Sequence, residues 1–422
     1  MLPENPSVVA WIGLDWADRQ HEVRLQAVDS SPVESFSVPQ TPEALDAWVC
    51  QLRRRFPLGF LAVALEQSRG ALIYALMKYD FLLLYPVPPK MVADYRKAFS
   101  GSGAKSDPQD ANLLLELLRL HRDHLRVWRP DDAQTRKLSL LVEHRRDFVD
   151  QRTRLTNQLT SLLKQSYPQA LEWAGELGRP AAARFLQQWP SLAAAQQADR
   201  FDLRRFYQAN GRWDATALEE RLDQVRAATP PTTDTAVPES STLMITLLAQ
   251  QLLVLLSAIA QVEKAIAELF PPHPDHALWD SFPGAGAALA PRLLAAFGAD
   301  RQRFASAVEV QQFAGIAPVT ESSGKSRRVH WRWACPRFLR QTLHEFAGCS
   351  IPQSAWAKAY YQQQRDRGKG HHAAVRALAF KWGRILYRCW KDHTPYDEHR
   401  YLEALARRGS PLLARVAATT QA

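Results

Sequence analysis

Two carboxylates that are three residues apart occur where an apolar helix is predicted to begin. Asp107 and Asp110 lie in the segment 106–115, SDPQDANLLL, in which Ser106 or Asp107 can cap the helix and Pro108 is tolerated in its first turn. Residues i and i+3 share a helix face, so both carboxylates point the same way. Acids favour the positive end of a helix dipole, but two adjacent like charges are unfavourable unless a cation lies between them. The pair therefore fits a plain helix start or part of a metal site.

Two further acids follow apolar segments that predict buried strands. Asp15 ends the segment 8–15, and Glu66 follows the segment 60–65. Because ligands in open α/β sheets bind at the carboxyl ends of strands, we expect these acids to face the helix acids there. Four carboxylates without His or Cys suit Mg²⁺ or Mn²⁺. Two such ions about 4 Å apart can clamp the attacking and leaving oxygens of a phosphodiester.

The elements that must position these acids alternate between strands and helices. Besides the two strands above, the pattern predicts strands at 21–28, 34–38 and 81–87, and helices at 41–54, 68–78 and 90–98. This order predicts an α/β domain of the ribonuclease-H type over residues 1–125.

The rest of the chain is predicted to be almost entirely helical. Residues 131–163 form a long amphipathic helix, 229–240 have the composition of a linker, and 243–270 form a strongly apolar helix. That helix is expected to pack in the core or against a partner helix. We therefore predict a helical linker or coiled-coil region at 126–275 with extra helical material at about 166–240, a mainly helical carboxyl-terminal domain at 276–400, and a tail at 401–422.

Charge and aromatic residues are concentrated near the carboxyl terminus. Residues 318–400 contain 16 Lys and Arg against 6 Asp and Glu, so this segment accounts for the whole net charge of +10. Aromatic residues lie among these charges: Trp331, Trp333, Trp356, Tyr360, Tyr361, Trp382, Tyr387 and Trp390. Phosphate backbones and unpaired bases bind such surfaces, so the segment predicts nucleic-acid binding.

Other classes of protein are disfavoured. No apolar run near 20 residues occurs, so no membrane span is predicted, and the amino terminus lacks the pattern of a signal peptide. Four scattered cysteines argue against a zinc site or a disulfide framework and fit a reducing cytoplasm.

Two carboxyl-terminal segments carry further candidate residues. A Pro-Gly-Ala-Gly turn between two predicted helices is similar to a helix-hairpin-helix, in which Gly284 and Gly286 would let backbone amides approach a phosphate. In a predicted polar loop, Ser322 and Ser323 precede Gly324 and then cations. Those cations are the candidate phosphate contacts Lys325, Arg327 and Arg328.

These motifs together resemble a known family. The series Gly13-Leu14-Asp15, Leu65-Glu66 and KSDPQDA at 105–111 resembles the amino-terminal DEDD domain of the insertion-sequence-110 transposases, a domain similar to the RuvC resolvase fold. The segments FPGAG at 282–286, FAGIAP at 313–318 and ESSG at 321–324 are similar to the carboxyl-terminal transposase domain of that family. The resemblance covers about residues 8–125 and 276–392. The chain departs from shorter members at 166–240 and at 329–336, where a stretch rich in glycine and lysine is usual.

The resemblance implies a recombinase that excises and inserts its own element through a circular intermediate. It implies Mg²⁺ bound by the tetrad Asp15, Glu66, Asp107 and Asp110, and a serine that forms a covalent link to DNA. The family motif maps this serine to Ser323, although the adjacent Ser322 leaves the assignment open. It further implies a structured bridge RNA that pairs with donor and target DNA, and dimers that assemble to tetramers whose composite sites join the tetrad of one protomer to the serine of another. Such a protein would work in the bacterial cytoplasm, at the nucleoid.

Three hypotheses follow. The leading one is a serine recombinase supported by the tetrad. The second is a RuvC-like nuclease in which metal activates water, so that Ser323 is dispensable. The third is a nucleic-acid-binding assembly protein with an inactive tetrad, which is disfavoured because all four acids are present.

Overall fold

A five-stranded mixed sheet forms the centre of the first of two units into which the chain divides, Met1–Pro130 and Asp131–Ala422. The computed structural model describes residues 6–67, 69–99, 106–232, 234, 236–324 and 326–420. The strands are β1 (Val8–Asp15), β2 (Gln20–Ala27), β3 (Glu34–Pro39), β4 (Phe60–Leu65) and β5 (Leu82–Pro86). Their order in the sheet is β3-β2-β1-β4-β5. Strand β2 pairs antiparallel with both β1 and β3, whereas β4 pairs parallel with both β1 and β5.

Helices cover both faces of this sheet. They are α1 (Pro42–Arg55), α2 (Ala71–Leu76), α3 (Pro89–Phe99) and α4 (Asp107–His121), and a 3₁₀ turn follows at Arg122–His124. Strand residues alternate between two cores, as a period of two requires. On β1, Ile12 and Leu14 pack with residues of α1 and α2, whereas Trp11 packs with Leu114 and Leu117 of α4.

The mixed sheet followed by a mostly helical chain is consistent with the ribonuclease-H-type layout that the sequence predicts. The clearest difference in this unit is the helix predicted at 68–78, which is only Ala71–Leu76 in the structure. Gly70 precedes it with φ +110°, a conformation that ends helical geometry. Ser68 lies outside the described residues.

The second unit is built on two long helices that run side by side. Its described helices are α5 (Ala133–Ser166), α6 (Ala170–Trp173), α7 (Pro180–Gln188), α8 (Leu192–Gln197), α9 (Arg200–Asn210), α10 (Ala215–Ala227), α11 (Ala236–Leu269), α12 (His276–Asp280), α13 (Gly286–Phe297), α14 (Ala307–Phe313), α15 (Arg337–Ser350), α16 (Ala355–Asp366), α17 (His371–Lys391), α18 (Glu398–Arg407) and α19 (Leu412–Thr420). Two further strands, β6 (Val319–Ser323) and β7 (Ser326–His330), pair antiparallel.

Helices α5 and α11 are antiparallel and join two separate cores. Leu138 near the start of α5 and Ile266 near the end of α11 belong to a core with α12 to α19. Leu163 near the end of α5 and Ile245 near the start of α11 belong to a core with α6 to α10. The region predicted as extra helical material therefore has its own apolar centre, and the predicted domains 126–275 and 276–400 lie in one unit.

The structure has helices inside two segments of this unit that the sequence predicts as a linker and a tail. The linker predicted at 229–240 is shorter, because α11 already begins at Ala236 and Pro238 is tolerated in its first turn. The tail predicted at 401–422 instead contains α18 and α19. Buried Leu412 joins the core, and an Arg415 Nη1 to Asp366 Oδ2 ion pair of 2.6 Å ties α19 to α16.

The prediction that no segment is long and apolar enough to span a membrane needs correction. Within the part of the chain that the structure describes, α11 meets that test by length and composition alone. A third of its most apolar window, 33%, is buried in the protein. The buried positions include Ile245, Leu248 and Leu252, which pack against the helices of the α6 to α10 core. A helix packed in a protein core has the same composition, so the test carries little weight.

Candidate functional site

The first pair of predicted site residues lies at the carboxyl ends of two neighbouring parallel strands. Leu14 of β1 is paired with Leu65 of β4, so Asp15 and Glu66 each follow a matched position. Side chains alternate along a strand, so Asp15 is on the same face as Trp11, and Glu66 is on the same face as Ala62 and Ala64. Both alanines pack in the same core as Trp11 and α4. Both acids are therefore on the α4 face of the sheet, and both are half-buried.

Helix α4 packs directly on β1 through a glycine. A Cβ atom at Gly13 would lie 2.1 Å from the carbonyl oxygen of Ala111 and 2.5 Å from the amide nitrogen of Leu115. Further along, Arg119 Nη1 donates to Gln26 Oε1 at 3.2 Å, and Gln26 is paired with Trp11 on the neighbouring strand. The carboxyl-terminal part of α4 thus lies beside the middle of β1. Its amino terminus is directed toward the carboxyl end of β1.

That direction brings the helix acids to the edge where the strand acids lie. Asp107 is exposed as the first residue of α4, whereas Asp110, one turn later, is only 2% exposed. Asp110 forms an ion pair with Arg96 of α3, and the Arg96 side chain is mostly buried. Ser106 is the cap residue, but its side chain makes no capping hydrogen bond; its carbonyl oxygen accepts from Gln109 and Asp110 at 3.0 Å.

The four acids share one edge of the sheet without forming one coordination sphere. Within the described residues, no three His, Cys, Asp or Glu side chains are placed to hold a single metal ion. The chemistry of the donors still fits the expected group, because all four are carboxylates and Mg²⁺ and Mn²⁺ prefer oxygen ligands. In this structure the Arg96 guanidinium lies beside Asp110.

One neighbour of the tetrad, Arg96, was not identified from the sequence, and a second, Glu22, is only a weaker candidate there. Arg96 lies in a short helix 14 residues before Asp110, and no spacing rule connects the two. Glu22 is directly opposite Asp15 across β1 and β2, and it accepts a hydrogen bond of 2.6 Å from Ser37 Oγ. From the sequence, Glu22 is a weaker candidate, together with Asp18 and Glu116, and a surface charge is the favoured interpretation. Strand register, which short segments predict poorly, places it next to Asp15.

The candidate serine lies in a β-hairpin of the second unit. Ser323 at the end of β6 is paired with Ser326 at the start of β7, and Gly324 lies in the turn between them. Gly324 has φ +54°, as tight hairpin turns require. The sequence predicts a polar loop here, because both faces of the hairpin are polar and exposed and no alternation of apolar residues indicates a strand. Lys325 lies outside the described residues.

The hairpin separates the two candidate serines. Adjacent strand residues point to opposite faces, and directly paired residues share one. Ser322 therefore shares a face with Arg327, the residue paired with it on β7. Ser323 is on the other face, together with Glu321 and with Arg328, which is paired with Glu321. Both serines are exposed. Only one of them can face a phosphate that approaches from a given side.

The two glycines of the predicted helix-hairpin-helix differ in their surroundings. Gly284 has φ +79°, and a Cβ atom there would lie 2.4 Å from the carbonyl oxygen of Cys349. Its close approach is to the end of α15, so packing accounts for this glycine. Gly286 has φ +51°, and a Cβ atom there would have no neighbour within 4 Å, so the space beside it is open to a ligand. Helix α13 is buried from Leu289 to Phe297, so only its first turn is accessible.

Comparisons with known proteins agree with these motifs. A model of the DEDD transposase domain of IS110 elements matches residues 12–168, and the model described as "Transposase IS116/IS110/IS902 family" matches residues 276–362. The IS117 mini-circle protein of Streptomyces coelicolor, which is named as a putative transposase, is 29% identical over 93% of this chain and 97% of its own length.

Two other relatives are similar over comparable lengths. The uncharacterized 43.6 kDa protein of insertion element IS110 from Streptomyces coelicolor is 28% identical over 93% of this chain and 97% of its own. The uncharacterized 42 kDa protein of insertion element IS900 from Mycobacterium paratuberculosis is 27% identical over 92% of this chain and 96% of its own. The similarity therefore extends across both units.

Proposed function

Since this chain belongs to the IS110 family of insertion-sequence transposases, we propose that it is a DNA recombinase that cuts and rejoins the ends of its own element through a covalent serine intermediate. The observation that carries the proposal is the packing of α4 on β1 at Gly13, which directs Asp107 and Asp110 to the edge where Asp15 and Glu66 lie. Asp110 is buried at this edge, and its ion pair with Arg96 offsets the cost of burying the charge.

The tetrad is the proposed metal centre, and the family suggests a divalent metal. Asp15, Glu66, Asp107 and Asp110 would hold Mg²⁺ or Mn²⁺, which would supply positive charge to the phosphate and the leaving oxygen. Glu22 adds a fifth carboxylate beside Asp15, and it lies 3.9 Å from the guanidinium of Arg24. Arg96 is the positioning residue: its ion pair fixes the carboxylate of Asp110 in the buried position from which the acid can act.

Ser323 is the proposed nucleophile. Its Oγ forms a bond to phosphorus and releases the hydroxyl proton, while the deoxyribose oxygen leaves and takes up a proton. Attack of a strand-end hydroxyl on the serine–phosphate bond then rejoins the DNA and restores the serine. Arg328 shares the face of Ser323 and would contact the phosphate oxygens. Lys325, which lies outside the described residues, is a second candidate contact. If Ser322 is the nucleophile, Arg327 takes this role.

The partners follow from the family and from charge. DNA ends and target DNA are the substrates, and the basic segment 318–400 supplies the positive surface that they need. We further propose a structured bridge RNA, and dimers that assemble to tetramers in the bacterial cytoplasm. These three features rest on the resemblance alone. The first turn of α13, at Gly286, is an additional candidate phosphate contact.

A denaturing gel tests the mechanism. Purified protein is incubated with labelled element-junction DNA, Mg²⁺ and RNA transcribed from the flank of the element, beside the variants Ser323→Ala, Ser322→Ala and Asp110→Asn. We expect a protein–DNA adduct that resists SDS in the wild type and in Ser322→Ala, and none in the other two variants. Since the two serines lie on opposite faces of one strand, they are matched controls for each other.

Two other results would refute parts of the proposal. Cleaved DNA without an adduct, equal in Ser323→Ala and wild type, would establish the water-using nuclease. An adduct that is lost only in Ser322→Ala would move the nucleophile to that residue.

A further inference from the structure

A single tryptophan at the base of the β6–β7 hairpin is flanked by two arginines. Trp331 directly follows β7, and the guanidinium carbon of Arg376 from α17 lies 3.4 Å from the centre of its ring. The guanidinium carbon of Arg340 from α15 lies 5.5 Å from the same ring centre. Each contact is a favourable cation–π interaction, but together they gather two like charges around one side chain.

No carboxylate neutralises these charges in the part of the chain that the structure describes. Helix α17 contains no acid, and the one acid of α15, Glu345, is already engaged by Arg146 and Arg292. Burial, and then the charge of Arg340, lower the pKa of Arg376. A pair of arginines that repel each other is unfavourable for folding unless an anion joins them.

Hydrogen-bond donors around Trp331 also lack acceptors. Four buried donor atoms have no hydrogen-bond partner among the described residues: Trp331 Nε1, Arg332 Nε, Arg340 Nη1 and Arg376 Nε. Buried polar groups are almost always hydrogen-bonded, so a concentration of unsatisfied donors at one place indicates a missing acceptor. Because Arg340 and Arg376 also carry positive charge that no described carboxylate neutralises, an anion suits this place better than a neutral acceptor.

We propose that Trp331, Arg340 and Arg376 form a binding site for a phosphodiester of a nucleic-acid strand, separate from the phosphate that Ser323 attacks. This inference rests on the proposed function only in taking nucleic acid as the substrate. Planar guanidinium groups match the paired oxygens of a phosphate and bind them in a bidentate manner. A stacked indole holds the guanidinium plane in a fixed orientation before the strand arrives.

An exposed aromatic ring favours an unpaired strand as the occupant. Trp333 is 80% exposed, and its ring centre is 6.2 Å from that of Trp331. An exposed indole beside a phosphate site is the usual arrangement for stacking a base of single-stranded nucleic acid. Five residues of extended chain separate Ser326 from Trp331, about 17 Å at the strand rise, so the site would anchor the strand at a distance from the hairpin turn.

The test measures binding without catalysis. All proteins carry Ser323→Ala, and fluorescence anisotropy of a labelled single-stranded oligonucleotide is recorded at a series of salt concentrations. The variants are Arg340→Gln and Arg376→Gln. The matched control is Arg179→Gln, which removes the same charge outside the basic segment 318–400, at an exposed position already paired with Glu176. Loss of strand cleavage would not affect this readout, so failure of the proposed function and failure of the site are distinguishable.

We expect each of the two variants to reduce the slope of log affinity against log salt by about 0.7, the value for one phosphate contact on a single strand. The control should retain the wild-type slope. Wild-type slopes in both variants, or an equal loss in the control, would overturn the site. A further control adds inorganic phosphate to the wild-type complex, with chloride at equal ionic strength as the reference. If phosphate displaces the oligonucleotide more than chloride does, and the variants lose this effect but keep the wild-type salt slope, the site binds free phosphate and not DNA.

Thermal unfolding separates a ligand site from a structural one. If the arginines only brace Trp331, Arg376→Gln lowers Tm and leaves the slope unchanged. If they form a phosphate site, removing one of the two like charges leaves Tm of the free protein unchanged or higher. The slope of log affinity for the oligonucleotide against log salt then falls.

Discussion

Replacement of Gly13 by alanine tests whether α4 positions the helix acids. The backbone of Gly13 is outside the left-handed region, so alanine is sterically allowed by the local chain and only the contact with α4 is probed. The new Cβ would lie 2.1 Å from the oxygen of Ala111, whereas ordinary contacts begin at 3.4 Å. The helix must therefore move by the difference, about 1.3 Å, since both clashing atoms are backbone and cannot rotate away.

The displacement has two measurable costs. Overpacking of this kind destabilises a protein by about 1–3 kcal/mol, which lowers Tm of the first unit by roughly 4–12 °C. A shift of about 1 Å at a catalytic group costs about 10²-fold in rate. We therefore expect Gly13→Ala to form the serine–DNA adduct about a hundredfold more slowly, while DNA binding through the second unit is retained.

The rate of adduct formation is measured by quenching the reaction at a series of times and running denaturing gels. Tm is measured by circular dichroism. Gly348→Ala is the control, because a Cβ atom there has no neighbour within 4 Å and alanine favours the surrounding helix. If Gly13→Ala had the rate and Tm of the wild type, α4 would not be held against β1 at this point, and the argument for a shared edge would fail.

Three further outcomes are expected. Burial lowers the pKa of His273, whose Nδ1 accepts a hydrogen bond of 3.0 Å from the Asp275 amide. Below about pH 6.5 the unfolded chain therefore binds more protons than the folded protein. Tm should fall as pH drops from 7.5 toward 5.5, and the fall should be shallower in His273→Asn. Gly284→Ala should cost about 1–3 kcal/mol more than Gly286→Ala in urea unfolding, because only the former adds a clash to the strained backbone. Leu412→Ala should destabilise by about 2–5 kcal/mol in the same assay, whereas a frayed tail would show no change.

The first unit could be predicted from the sequence because its strands are buried. Val8–Asp15 ends in an acid and Phe60–Leu65 is followed by one, and the structure has both strands at the predicted bounds. Their side chains obey a strong pattern, since a strand covered on both faces needs apolar residues throughout. The same pattern predicts that the strand ends lie together, but not which side chain neutralises Asp110. The partnership with Arg96 depends on how α3 packs, and no local signal encodes it.

The serine hairpin and the last two helices could not be predicted in the same way. Strands β6 and β7 are exposed on both faces, so neither alternation nor an apolar run marks them. Helices α18 and α19 bury only a few residues each, such as Leu405 and Leu412, and their composition is close to that of a solvated terminus. Tertiary packing determines both features.

The antiparallel pair of α5 and α11 gives the second unit a lever arm. Each helix has 34 residues and is about 51 Å long at 1.5 Å per residue. The core of α6 to α10 packs at one end of this helix pair, and the core next to the serine hairpin packs at the other end. A tilt of only about 5° at one end would displace the other by about 4 Å over this length. A small rotation near the hairpin would therefore move the distal core by about the rise of one base-pair step.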